Sequence, residues 1–147
     1  MELIEKNNLK ELKRIILFKK YQRILIVAGA TSFYTSKVDI IIDKLTKEKN
    51  THVFFKKKKM PEIDELMSLI ETIKKFHPDL IITIGGGAVL DLAKIANTLV
   101  FEKNIQKNII NNSYKTNNFC ELLAIPMTAG TGAEVTTNAV IYIKNKK

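Results

Sequence analysis

The chain has 147 residues, of which 46% are hydrophobic, and it carries a formal net charge of +9 at pH 7. This length supports one domain with an ordinary buried core, and the composition excludes the disordered, collagenous and disulfide-rich classes. No apolar run reaches the roughly 18 residues needed to cross a membrane, and no signal peptide is visible. Together with the single cysteine, Cys120, which we interpret as a half-buried apolar residue, this predicts a cytoplasmic protein without membrane association.

The positive charge does not by itself indicate nucleic-acid binding. Apart from Arg14 and Arg23, the basic residues are all lysines, and they are scattered through the chain. No aromatic residues interleave with them to form a stacking platform. The one dense run, Lys56 to Lys59, follows a predicted strand, so we interpret it as a solvated loop. The sequence therefore predicts no nucleic-acid partner.

Helical and strand patterns alternate along the first hundred residues. Short β-branched runs bounded by glycine or proline predict strands, and apolar residues three and four apart predict helices. The predicted order is helix 8–19, strand 23–28, helix 35–48, strand 51–55, a helix from Pro61 to His77, strand 80–84 and helix 88–100. The strand over 80–84 is the most apolar, so we expect it in the interior of the sheet.

The remainder is less regular. Residues 101–120 are polar and rich in asparagine, which predicts a structureless loop or a variable insertion. A short strand over 122–125, a Thr/Gly loop and a last strand over 139–143 follow. Strands alternating with helices predict an α/β fold, a Rossmann-like parallel sheet with helices on both faces, in which ligands bind at the carboxyl ends of the strands.

The first chemical motif follows the most apolar strand and begins Gly85-Gly86-Gly87-Ala88. Glycines at this position let a ligand approach the backbone, and the N–H groups of the following helix favour an anion, so a pyrophosphate fits. A tight strand–helix turn is the alternative. Asp91 and Lys94 lie three apart on that helix; Lys94 would offset the repulsion between Asp91 and a pyrophosphate, or the two form an ordinary surface ion pair.

The second motif follows the fourth predicted strand and reads P-M-T-A-G-T-G-A-E-V-T over residues 126–136. Small residues and hydroxyls in such a loop can surround a ribose or nicotinamide. The two motifs together resemble the iron-containing (group III) alcohol dehydrogenase family over essentially the whole chain. Dehydroquinate synthases and glycerol dehydrogenases share the glycine motif but differ in the second loop. Within the family, the phosphonoacetaldehyde reductase-like branch is a plausible neighbour.

The resemblance implies that residues 1–147 are the nucleotide-binding domain of the dehydroquinate synthase-like fold, without the helical domain that follows it in the family. It implies NAD or NADP as cofactor, with the pyrophosphate on Gly85, Gly86, Gly87 and Ala88. Thr128, Ala129 and Thr131 would line the ribose and nicotinamide, and Lys146 or Lys147 matches a cofactor-contacting lysine. The other predicted cofactor-binding residues are Asp91 and Lys94, on the helix after the glycines, and Thr31 and Ser32, after the first strand.

The sequence departs from the family pattern at several positions. Ala88 and Ala133 stand where serine is usual, Met127 replaces a threonine, and Lys59-Met60-Pro61 stands where Asn-Pro is frequent. The turn over residues 29–32 lacks the carboxylate with which many relatives repel the extra phosphate of NADP. The resemblance therefore leaves NAD and NADP open.

In the family, a divalent metal, iron or zinc, binds the oxygen of a small alcohol or aldehyde substrate and acts as a Lewis acid. Its ligands, an aspartate and three histidines, follow the segment seen here. Only His52 and His77 occur in this chain, and neither has ligand spacing, so we assign no catalytic and no metal-binding residue. We expect the cofactor-binding part of an oxidoreductase that is inactive alone and can form a homo-oligomer. A stand-alone nucleotide-binding module and a basic interaction protein remain the alternatives.

Overall fold

A computed structural model describes residues 14–15, 21–128, 130 and 132–143. Arg14 and Ile15 have helical backbone, and the rest of the helix predicted over 8–19 lies outside the described residues. In chain order the elements are β1 (Arg23–Gly29), α1 (Ala30–Thr35), α2 (Val38–Thr46), β2 (Asn50–Lys56), α3 (Ile63–Phe76), β3 (Leu80–Gly85), α4 (Gly87–Leu99), α5 (Ile105–Ile110) and β4 (Glu121–Pro126). Among the described residues, no helix combines the length and apolarity required to cross a membrane.

The four strands form one parallel sheet in the order β2-β1-β3-β4. Every residue of β3 is buried, as expected for an interior strand covered on both faces. The predicted α/β fold and the interior position of the third strand are confirmed. Because the strands are parallel, their carboxyl ends meet at one edge, where the glycine turn and the Thr/Gly loop both begin.

Alternate side chains of the strands enter two separate cores, one on each face of the sheet. Leu25, Val27 and Ile81 pack with α3 and α4. Ile24, Ile26, Ala28, Ile82 and Ile84 pack against Phe33 of α1 and Ile42 of α2. This alternation is the strand period of two residues, and it confirms that helices cover both faces.

The helix predicted over 35–48 was wrong at its beginning. Helix α1 starts at Ala30, directly after β1, and its Phe33 is 4% exposed. It ends at Thr35, and Lys37 then adopts a left-handed conformation with φ of 58° before α2 begins at Val38. Because Phe33 is buried against the sheet, a short helix forms before residue 35, where the apolar spacing of the sequence predicted the helix to begin.

The structureless loop predicted over 101–120 contains helix α5. Ile105 of this helix is 4% exposed and anchors it to the core. The carboxylate of Glu102 accepts hydrogen bonds from Asn108 Nδ2 at 2.8 Å and from the Lys115 N–H at 3.0 Å. These donors hold the pKa of Glu102 below its usual range. One acidic side chain thus organises a segment whose polar composition indicated no structure.

The last predicted strand, over 139–143, is reduced to a single parallel bridge between Tyr142 and Glu62. The Tyr142 N–H donates to the Pro61 carbonyl at 2.7 Å, and the Ile63 N–H donates to the Tyr142 carbonyl at 3.1 Å. Because Pro61 has no N–H and α3 begins at Ile63, the ladder cannot extend along this partner. Pro61 therefore lies before the helix, whereas the sequence predicted it at the first helical position.

The interpretation of the Lys56–Lys59 run as a solvated loop is wrong for Lys56, which is the last residue of β2, whereas Lys57 and Lys59 are exposed in a loop as predicted. Lys56 is only 7% exposed. Its Nζ lies 3.6 Å from Glu65 Oε2 and donates to the Met60 carbonyl at 3.0 Å and to the Lys58 carbonyl. A buried ammonium needs such partners, and they close the connection between β2 and α3.

Candidate functional site

The glycine turn joins the end of β3 to the beginning of α4. Gly86 is the N-cap residue, and its carbonyl accepts the N–H groups of Val89 at 2.9 Å and Leu90 at 3.2 Å. The N–H groups of Gly87 and Ala88 come before Val89, the first intrahelical donor, and point out of the start of the helix. With the positive end of the helix dipole behind them, they form a surface suited to an anion.

Close packing explains why glycine occupies the end of β3. A Cβ atom on Gly85 would lie 2.7 Å from Val89 Cγ2 and 2.9 Å from Val89 Cβ, closer than real Cβ contacts. A Cβ atom on Gly29, at the end of β1, would lie 3.7 Å from the same Cγ2 atom. The first turn of α4 therefore rests directly on the carboxyl ends of the two central strands, which leaves the backbone bare on its outer side.

The structure brings the two sequence motifs together. Gly85 is in register with Pro126 of β4, and the Met127 N–H donates to the Gly85 carbonyl at 2.8 Å. Thr128 then lies beside the turn, where a Cβ atom on Gly86 would be 3.2 Å from its Oγ1. The exposed Thr128 hydroxyl is thus placed at the anion surface. Ala129 and Thr131, also predicted for the site, lie outside the described residues, as do Lys146 and Lys147.

A cleft of about 750 Å³ lies at the carboxyl ends of β1 and β2. It is lined by Gly29, Ala30, Thr31, Ser32, Thr35, Phe55, Lys56 and Lys57. It contains the two predicted residues Thr31 and Ser32, and no carboxylate is among its lining residues. Sequence reasoning missed the contribution of β2. The alternation of strands and helices could have indicated it, because every strand of a parallel sheet, including the one beside β1, ends at this edge.

A smaller hollow of about 480 Å³ is lined by Met67 of α3 and by residues 104–107 and 110. It contains none of the residues that the motifs single out. By contrast, Gly29 in the cleft and Gly85 in the glycine turn both pack against Val89, so the two features lie side by side along the carboxyl edge of the sheet. We therefore take that edge as the candidate site.

Asp91 and Lys94 are ion-paired, with Lys94 Nζ 3.3 Å from Asp91 Oδ1. Both also reach the segment that follows the Thr/Gly loop. Lys94 Nζ donates to the carbonyls of Ala133, Thr136 and Asn138, and Asp91 Oδ2 accepts the Val140 N–H at 3.1 Å. Their role as direct cofactor contacts stays a prediction, because the contacts observed are within the chain.

No group of three or more His, Cys, Asp and Glu side chains able to hold a metal ion occurs among the described residues. The His52 ring lies against Phe76 at 5.5 Å between centroids, and the His77 ring lies against Phe119 at 5.9 Å. Cys120 is half-buried, and burial raises the pKa of its thiol to about 12.

Comparison with known proteins supports the same interpretation. The family model for iron-containing alcohol dehydrogenases matches residues 3–147. Aldehyde-alcohol dehydrogenase 2 of Entamoeba histolytica is 30% identical over 138 residues, covering 84% of this chain and 16% of that protein. The bifunctional aldehyde-alcohol dehydrogenase of Escherichia coli K12 is 31% identical over 137 residues, covering 82% of this chain and 15% of that protein.

Solved structures share the fold. An iron-containing alcohol dehydrogenase of Thermotoga maritima superposes with a TM-score of 0.76 at 26% identity, over 92% of this chain and 38% of that one. The sulfoacetaldehyde reductase of Bifidobacterium kashiwanohense, solved in complex with NAD+, gives a TM-score of 0.77 at 25% identity, over 90% of this chain and 35% of that one. The chain therefore spans about a third of these structures and about a sixth of the two sequence relatives.

Proposed function

This chain belongs to the iron-containing alcohol dehydrogenase family, and from that premise we propose that it is the dinucleotide-binding part of an NAD(P)-dependent, metal-dependent oxidoreductase. The reaction interconverts a small alcohol with an aldehyde or ketone. The observation that carries the proposal is the meeting of Gly86 with Thr128 at the start of α4. A surface suited to an anion and a loop that carries a hydroxyl lie side by side there, as the pyrophosphate and the adjoining ribose of a dinucleotide require.

The cofactor pyrophosphate would bind at the N–H groups of Gly87 and Ala88, with Gly85 and Gly86 keeping the approach free of side chains. Thr128, together with Ala129 and Thr131, would contact the ribose and the nicotinamide. The nicotinamide supplies or accepts the hydride when bound. The chain's own contribution is to fix the pyrophosphate and orient the ring, which reduces the entropic cost of reaction.

We place the adenosine end in the cleft at the ends of β1 and β2. The hydroxyls of Thr31 and Ser32 and the exposed ammonium of Lys57 line this cleft. A 2′-phosphate on the ribose would meet the Lys57 cation and the Thr31 hydroxyl, and it would meet no carboxylate among the lining residues. We therefore expect NADPH to bind at least as tightly as NADH.

The described side chains do not furnish a metal site. We propose that the divalent metal of the family reaction, iron or zinc, is held by residues outside those described. The 147-residue chain alone is then expected to show no alcohol oxidation. We further propose a cytoplasmic location and self-association as a homo-oligomer, supported by the free cysteine Cys120 and by exposed apolar side chains such as Ile110.

The test is titration of the purified chain with NADH and NADPH, followed by the nucleotide's fluorescence. Saturable binding of at least one is expected. Gly86→Val should abolish it, because a branched side chain would meet Thr128 and cover the turn. Ser113→Val, an exposed position away from the site, is the matched control and should bind normally. If a folded chain bound neither nucleotide, the proposed function would be wrong.

A further inference from the structure

The segment 133–140, which includes the end of the Thr/Gly loop, contains no helix or strand. Ala133 is buried in the core at 6% exposure, and side chains of α4 bind the backbone of the segment. Lys94 Nζ donates to the carbonyl oxygens of Asn138 at 2.7 Å, Ala133 at 2.9 Å and Thr136 at 3.2 Å. Three carbonyls separated along the chain thus converge on a single ammonium group.

The chemistry of the ammonium matches this arrangement. Lysine has three N–H donors, which equals the number of carbonyls that converge on it. The charge is further offset by Asp91 Oδ1 at 3.3 Å, and both side chains are largely shielded from solvent, at 16% and 14% exposure. Charge-assisted hydrogen bonds in such partly buried positions are stronger than neutral ones. Asp91 Oδ2 holds the far end of the segment through the Val140 N–H.

Lys94 is also badly placed to contact a bound pyrophosphate. It lies seven residues after Gly87, about 10 Å along the axis of α4 at 1.5 Å per residue. Its donors are directed to the segment and not to the start of the helix. A contact with the cofactor would have to replace at least one of these hydrogen bonds.

We propose that Lys94 is a positioning residue. With Asp91, it fixes segment 133–140 on α4 and so helps to hold Thr128 beside the glycine turn, in the arrangement that the nicotinamide half of the cofactor needs. The cofactor part of this inference rests on the proposed function. The holding of the segment does not, and it is measurable without any ligand.

The first experiment is amide hydrogen exchange without ligand on wild type, Lys94→Met and Lys75→Met. Lys75 is an exposed lysine in the last turn of α3, so its variant removes the same charge without disturbing the segment. The Val140 N–H is expected to exchange about tenfold faster in Lys94→Met than in wild type or in the control. Unchanged exchange would overturn the proposal. If Lys94→Met is unfolded by circular dichroism, Lys94→Gln, which keeps an N–H donor, replaces it with a smaller expected increase.

The second experiment compares NADH with ADP, which has the adenosine and pyrophosphate but no nicotinamide. We expect Lys94→Met to weaken NADH binding about tenfold and ADP binding less than twofold. Equal weakening of both would place Lys94 on the pyrophosphate and overturn the positioning role, and unchanged NADH binding would overturn it too. A wild-type chain that binds neither would count against the proposed function and against the cofactor part of this inference. The exchange measurement would still decide whether Lys94 holds the segment.

Discussion

Val89 is the residue against which the glycine turn is packed. Its side chain fills the space where Gly85 would carry a Cβ atom and approaches the same position on Gly29. This packing fixes the position of the turn on the sheet, and with it the backbone on which we propose that the pyrophosphate binds.

Gly85→Ala tests this packing. We expect it to lower the free energy of unfolding by about 2 kcal/mol, because the new methyl group overlaps Val89 and the first turn of α4 must shift. Urea unfolding measures the effect. In a Val89→Ala background the overlap is relieved, so the same glycine substitution should cost at least about 1 kcal/mol less. An identical cost in both backgrounds would show that Val89 is not the obstacle.

Cys120 gives a pH-dependent prediction. Burial is the main cause that raises the pKa of the thiol to about 12, and the nearby Asp79 carboxylate is the second. The unfolded chain loses the thiol proton near pH 9, whereas the native protein keeps it until the pH approaches 12. Its contribution to stability is present below pH 9 and declines as the pH rises towards 12. At pH 8 a disulfide reagent should react at least about tenfold more slowly with the native chain than with the urea-unfolded chain. Equal rates would contradict the burial of the thiol.

At the scale of elements, the connection from β2 to α3 depends on one buried ion pair. The side chains of Lys56 and Glu65 are 2% and 7% exposed. Glu65 Oε1 also accepts the Lys57 N–H at 2.6 Å. The end of β2 is thereby tied to the first turn of α3, and this tie holds Lys56 and Lys57 at the wall of the cleft beside β1.

Lys56→Met should lower the free energy of unfolding by about 3 kcal/mol, because it leaves the Glu65 carboxylate buried without its cation. Lys59→Met, at an exposed position of the same run, should change it by less than about 0.5 kcal/mol. Both are measured by urea unfolding at pH 7. Similar small effects for the two variants would mean that the pair does not stabilise the connection.

The elements that the sequence predicted are those whose pattern is set locally. The apolar run Leu80–Gly85 was sufficient to predict β3, and the helical periodicity of Ile63–Phe76 was sufficient to predict α3. Both patterns arise because these residues are buried in or against the sheet. Helix α5 was missed because its stability comes from Glu102 and from the burial of Ile105, which are tertiary contacts. The site was predicted through its motifs, but the part contributed by β2 depends on strand order, which no local pattern contains.

At the scale of the whole molecule, exposed apolar side chains remain on the described surface. Met67 is 39% exposed and Ile110 is 61% exposed, and both line the hollow between α3 and α5. Apolar surface of this kind favours association. It lies apart from the residues assigned to the cofactor, so its effect can be tested separately.

We expect the mean mass in sedimentation equilibrium to rise with protein concentration, and Met67→Ser combined with Ile110→Ser to reduce that rise. NADH binding should be unchanged by the pair of substitutions, because neither residue lies in the candidate site. Thr72→Ser, at a partly buried polar position of α3, serves as the control. Association that is equally strong in the double variant would place the contact elsewhere.

The position of β1 between β2 and β3 also determines the order in which the chain can fold. Ile24 pairs with Leu80, more than fifty residues later, while Arg23 pairs with Asn50 much sooner. During synthesis, β1 and β2 can meet early, but the pair at the centre of the sheet must wait until residue 85 has emerged. Such distant pairings slow folding, so the glycine turn, at the end of β3, can take its place only after β3 has paired with β1.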